Sequence, residues 1–245
     1  MNTKAQASSV EVVVWGFGPR VVLVHGSVIN GPLTWSEQQP LGEHWRLEVL
    51  NRRGYGKSLS PSVRSDLLGD GAHLVGHSYG AIGALYAAAL RPQAVRSLVV
   101  NEPSAFRLVK GDRAADAIVA AQSALKRDVE PRAFLEAFAK TITAPGAPPP
   151  PPPPNPLPPE LEQGVRTTIA ARPSAEAEIP FDVLRRTSFP KLVTSGGHHR
   201  VFEAICDVVH RELKSERATI RGAGHNAPFT GAAFNERLEA FLRSV

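Results

Sequence analysis

The chain carries seven short apolar runs, rich in valine, at 10–15, 21–24, 45–50, 72–75, 95–100, 191–194 and 218–220. Hydrophobicity within each run is continuous rather than alternating. A strand with one wet face alternates, whereas a strand covered on both faces does not. The runs therefore predict a mostly parallel sheet clothed by helices on both sides. Helical patterns fill the gaps. The clearest spans 79–90, rich in Ala and Leu and stopped by Pro92. Others span 201–213 and 232–243. This β-α-β alternation predicts an α/β fold, a doubly wound, mostly parallel sheet. With 245 residues, 42% of them hydrophobic, the chain suffices for one large domain with an insertion.

The rhythm breaks between 104 and 190, where no convincing strand occurs. Helices are expected near 113–126, 131–143, 159–171 and 174–186. The reading is a core of 1–103 and 188–245, with a helical cap at 104–187. Inside the cap lies APGAPPPPPPPNPLPP, and eleven of the 22 prolines fall within 145–159. Seven consecutive prolines lack N–H donors and cannot be helix or sheet. They are expected to form an exposed polyproline II linker, with a ligand for a proline-recognition module as the alternative.

Composition narrows the function classes. The net charge is +5, but Lys and Arg are scattered with no basic block, so no nucleic-acid partner is expected. Cys206 is the only cysteine, which excludes an intramolecular disulfide and a Cys-rich metal site. Its spacing with Phe202, Ile205 and Val209 marks a buried core thiol. The apolar run near the N-terminus is too short for a signal-peptide core or a membrane span. The expectation is a cytoplasmic protein with no membrane partner, a monomer or homodimer.

The sharpest chemical signal is GHSYG at 76–80, between the run AHLV and the Ala-rich helix. Gly-x-Ser-x-Gly at a strand–turn–helix junction lifts Ser78 clear of the sheet, and the helix N-terminus offers N–H groups to a developing negative charge. LVHGS at 23–27 ends another strand at the same edge. The amides of Ser27 and Tyr79 are in place to form an oxyanion hole. His25 reads as a prop for this loop rather than as a base. NRRGYGKS at 51–58 reads only as a turn. GAGHNAPF at 222–229 puts His225 in a loop after the last strand, as base for Ser78, because serine is a weak nucleophile until its proton is removed.

These motifs resemble the α/β-hydrolase superfamily. HGS at 25–27, RRGYGKS at 52–58, GHSYG at 76–80, RPQAVRSLVVNEP at 91–103 and GAGH at 222–225 run in the family's order. The resemblance covers roughly 10–103 and 188–245. It implies the fold, a serine nucleophile, a histidine base, a two-amide oxyanion hole and a variable cap. There are departures. The stretch between Ser58 and Gly76 leaves the usual intervening helix short or absent. The brief N-terminal lead suggests that the first strand is missing. Asn51 replaces the aspartate common before the RGxG turn, with an effect expected on local hydrogen bonding.

The family's usual acid follows the next-to-last strand, yet SGGHHR stands there, with no carboxylate. Glu203 falls inside the next helix, and Asp182 and Asp207 are weaker candidates. Glu102, at the end of the strand after Ser78, is preferred. The haloalkane dehalogenase subgroup and certain lactone hydrolases resemble this chain in placing the acid there. His198 and His199 lack further ligands at a credible spacing, so no metal is expected, and no cofactor is needed. The expected reaction is hydrolysis of a small to medium hydrophobic ester or lactone through an acyl-enzyme. Phe106, Leu108, Leu135, Phe138 and Ile142 are expected to supply an apolar pocket. Carbon–carbon bond hydrolysis, thioester hydrolysis, perhydrolysis and a ligand-binding receptor on a hydrolase scaffold remain alternatives. Serine at 78, where dehalogenases and epoxide hydrolases carry aspartate, argues against those two activities.

Overall fold

A computed structural model describes residues 10–58 and 65–245. Seven strands form one sheet: β1 (Val12–Trp15), β2 (Arg20–Val24), β3 (Arg46–Leu50), β4 (Ala72–His77), β5 (Val95–Asn101), β6 (Lys191–Ser195) and β7 (Glu216–Thr219). The order is β1-β3-β2-β4-β5-β6-β7, and only β1 runs antiparallel to its neighbour. All seven expected runs are strands. β7 lies slightly earlier than expected, although Ile220 N–H still donates to the Ser195 carbonyl at 2.7 Å.

The helices are α1 (Gly31–Thr34), α2 (Tyr79–Leu90), α3 (Arg113–Ser123), α4 (Pro131–Thr141), α5 (Pro159–Ala170), α6 (Phe181–Leu184), α7 (Arg200–Leu213) and α8 (Ala232–Arg243). Successive strand residues point to opposite faces. Val22, Val24, Leu74 and Val100 pack with α2 and α7 through Ala81, Leu85, Phe202 and Ile205. Val21, Leu23, Val75 and Val99 pack on the other face with Trp35 and the α8 residues Phe234 and Phe241. Two dry faces explain the continuous apolar runs. Truncating a fully buried leucine such as Leu85 to alanine costs about 2–5 kcal/mol. Cys206 is buried in the first of these layers.

Between β5 and β6, α4 and α5 share a separate cluster of Phe134 and Val165 that also takes in Val28 from the loop after β2. The expected helix at 174–186 is absent. A 3-10 turn (Ser174–Glu176) and the single-turn α6 stand there, because Pro180 interrupts the run. The proline run at 148–154 carries neither helix nor strand and is mostly exposed. Before β4, Ser65–Leu68 is one 3-10 turn; the rest of the expected shortening, at 59–64, lies outside the described residues, as does most of the N-terminal lead.

Candidate active site

The site lies at the C-terminal edge of the parallel strands. β4 ends at His77, and α2 starts at Tyr79, so Ser78 alone makes the turn, with φ 53° and ψ −121°. Gly76 and Gly80 permit it. A Cβ on Gly76 would meet Ala81 Cα at 2.6 Å, and one on Gly80 would meet the His25 carbonyl at 2.2 Å. No larger residue fits between strand, helix and the loop after β2. Ser78 N–H donates to the Asn101 carbonyl at 2.9 Å, which ties the turn to β5.

Glu102 follows β5, also at positive φ (41°), and is fully buried. His225 stands in the 3-10 turn after β7. These three residues, distant in sequence, meet in series. His225 Nδ1 lies 2.6 Å from Glu102 Oε2, and Nε2 lies 2.8 Å from Ser78 Oγ. Burial opposes a charge on Glu102, but the His198 and His225 imidazoles outweigh it and hold the pKa at about 2. The carboxylate therefore only accepts, so His225 donates from Nδ1 and accepts the Ser78 hydroxyl at Nε2. The second carboxylate oxygen accepts the Gly196 N–H at 2.6 Å.

The other acids lie elsewhere. Glu203 accepts Gly197 N–H (3.0 Å), the Ser195 hydroxyl (2.9 Å) and Arg217 (2.7 Å), bracing the turn after β6. Asp207 pairs with Arg217 and Asp182 with Arg185. The double histidine divides its work. His199 Nδ1 accepts Val201 N–H and caps α7, while His198 Nδ1 sits 3.3 Å from Glu102 Oε1. Glu102, His198 and His225 bring three potential ligand atoms within 4.8 Å of one another. His199 is not among them, and both Glu102 oxygens already hold other donors.

His25 is a prop: Nδ1 donates to the Gly26 carbonyl (2.9 Å) and Nε2 accepts Arg52 N–H (3.0 Å). Burial, then Arg52, pushes its pKa well down. His77, beside His225, is also held neutral, with a pKa of about 3 set by burial and then by His225. Ser27 and Tyr79 both line a cavity of about 250 Å³ that opens from Ser78 into the 104–187 segment. Neither backbone N–H donates to a described residue. Phe106, Leu135, Phe138 and Ile142 line this cavity as expected, but Leu108 does not and packs against the sheet-side core.

Sequence reasoning missed several residues. Ser104 Oγ lies 2.9 Å from Ser78 Oγ. Arg52 and Tyr55, in the stretch read only as a turn, reach the loop after β2, and Thr168 reaches it from α5.

The sequence model of the alpha/beta hydrolase family matches residues 21–237. The pimeloyl-(acyl-carrier protein) methyl ester esterase of Xanthomonas oryzae pv. oryzae is 28% identical over 266 residues, covering 95% of this chain and 98% of that protein. An alpha/beta hydrolase from Sphaerobacter thermophilus superposes with a TM-score of 0.66 at 21% identity, covering 95% of this chain and 96% of that one. Naproxen esterase from Bacillus subtilis does so with a TM-score of 0.63 at 18% identity, covering 95% and 87%. With its family's sequence pattern matched across nearly its whole length and its family's architecture around Ser78, the chain belongs to the alpha/beta hydrolase family.

Proposed function

We propose that the protein is a carboxylic ester hydrolase that works through an acyl-enzyme on Ser78. The observation that carries this reading is the hydrogen-bonded series Ser78–His225–Glu102; Ser27 and Tyr79 line the same cavity, and their amides are the oxyanion donors in this reading. His225 takes the Ser78 proton as Oγ attacks the ester carbonyl. The two amides receive the oxyanion. His225 then returns the proton to the leaving alcohol as the C–O bond breaks. Water, deprotonated by His225, attacks the acyl-enzyme, and the carboxylic acid leaves as Ser78 regains its proton. Glu102 holds the imidazole in the productive tautomer and offsets its charge.

Residues 104–187 serve as a cap in this reading, since their apolar side chains line the cavity above Ser78. A volume of about 250 Å³ suits a small to medium acyl chain. The Xanthomonas relative, a methyl ester esterase, supports an ester with a small alcohol. A lactone is the cyclic variant of the same substrate. No helix among the described residues is long and apolar enough to cross a membrane; cytoplasmic residence is part of the proposal. Hydrolysis of p-nitrophenyl esters of graded chain length tests it. Wild type is expected to cleave short and medium chains, and Ser78→Ala to lose activity by more than about 10³-fold. A wild type inert on every chain length refutes the reading.

A further inference from the structure

Arg52 has no catalytic part in the chemistry above, yet it is a buried cation, 6% exposed. Among the described residues it has no carboxylate partner, and its Nε is buried with no acceptor. An arginine stays charged, and burying it unpaired is costly. What it does engage is the oxyanion loop. Nη2 donates to the Gly26 carbonyl at 2.7 Å, and the guanidinium carbon lies 5.0 Å from the Tyr55 ring centroid and 4.8 Å from that of Tyr79.

The Gly26 carbonyl and the Ser27 N–H belong to one peptide unit. The only cis bond among the described residues is at Asn155–Pro156, so this unit is trans. In a planar trans peptide the C=O and N–H point in opposite directions. Fixing the carbonyl on Arg52 and His25 therefore turns the Ser27 N–H away from them, and Ser27 is a lining residue of the cavity at Ser78. The plane needs holding. The next residue, Val28, is β-branched yet sits at φ 70°, a strained conformation that persists only where the surroundings impose it. A charged donor on the carbonyl also polarises the N–H across the peptide.

We propose that Arg52 is a positioning residue of the oxyanion hole, setting the orientation and strength of the Ser27 amide through the Gly26 carbonyl. It stabilises the tetrahedral oxyanion and not the planar ester. This rests on the ester hydrolase reading above.

The test measures p-nitrophenyl butyrate kinetics and inhibition by butylboronic acid, whose tetrahedral adduct places an oxygen where the oxyanion forms. Arg52→Met keeps the apolar stem, and Arg52→Lys keeps a charge. For Arg52→Met the expected result is a fall in kcat of about 10–100-fold, since an indirect support is worth less than a direct oxyanion donor. The boronate Ki rises by a comparable factor, KM stays within about threefold, and Arg52→Lys falls between. Unchanged kcat, or a fall in kcat with unchanged boronate Ki, overturns the inference. So does parallel loss of KM and Ki, which marks a merely structural role. If Arg52→Met does not fold by circular dichroism, Arg52→Lys decides by the same pattern. A wild type that neither cleaves the ester nor binds the boronate overturns the esterase reading and this inference together; an active wild type with unchanged variants overturns this inference alone.

Discussion

Four histidines near the sheet sit in environments that separate their roles. His25 and His77 are fully enclosed and kept neutral, so neither competes with His225 for a proton. His73, at the start of β4, contacts Ser97 Oγ at 2.8 Å and meets the Trp45 ring edge-on; burial, then Arg96, lowers its pKa to about 4. These shifts fix a pH dependence of stability. An unfolded histidine takes up a proton below about pH 6.5, while folded His73 and His77 refuse it until about 4 and about 3. Their stabilising contribution is therefore complete above pH 6.5 and is lost as pH falls toward 4, at roughly 1.4 kcal/mol per pH unit for each proton. Thermal melts from pH 7 to 4 should show a falling Tm, with a shallower fall in His73→Gln. An identical slope in the variant refutes this assignment. Glu102, with a pKa of about 2, remains ionised across that window. At this scale the three residues of the proposed triad, Ser78, His225 and Glu102, could be picked out because each sits in a short motif at a strand end, and the structure brings their side chains into contact. Arg52 and His198 were not. What they touch depends on which turns the sheet order brings together.

At the scale of elements, the proposed cap segment meets the loop after β2 through α5. Thr168 Oγ1 accepts the Val28 N–H at 3.0 Å, one residue beyond Ser27, and Tyr55 OH shares that donor at 3.0 Å. Gly164 lets the helix come this close: a Cβ there would lie 1.7 Å from the Val28 carbonyl oxygen. Backbone atoms cannot yield as a side-chain tip can, so Gly164→Ala must push α5 off the loop. The expected cost is about 1–3 kcal/mol by denaturant melt, with a lower kcat. Wild-type stability and turnover in Gly164→Ala would show that the contact is loose. The sequence read α2 and α8 to their ends, since Ala-rich periodicity and Pro92 define one and an amphipathic run the other. It could not show that Gly164 meets Val28, because a helical glycine carries no mark of its distant neighbour. The turn at Asn51 shows the same limit. Its side-chain NH2 donates to Glu11 at 2.8 Å and its carbonyl accepts Gly31 N–H at 2.9 Å, so the family's aspartate would set two carboxylates against each other.

At the scale of the molecule, the continuous apolar runs specified a sheet covered on both faces, and the chain builds that sheet. The parallel strands β4, β5 and β6 end at one edge, which is why an acid after β5 reaches the same histidine as a serine after β4. The turn after β6, where SGGHHR replaces the usual acid, instead supplies a backbone donor and an imidazole to Glu102. In the proposed triad the acid stands on a different strand from the family's usual one, at the same edge of the sheet. The direct test is kcat/KM for p-nitrophenyl butyrate in Glu102→Gln beside Glu203→Gln. Glu102→Gln should lose about 10²–10⁴-fold, because the amide no longer fixes the His225 tautomer or offsets its charge. Glu203→Gln should stay within about threefold of wild type, because Glu203 braces a turn through Gly197, Ser195 and Arg217 without touching His225. An active Glu102→Gln with a dead Glu203→Gln would contradict the account at its centre.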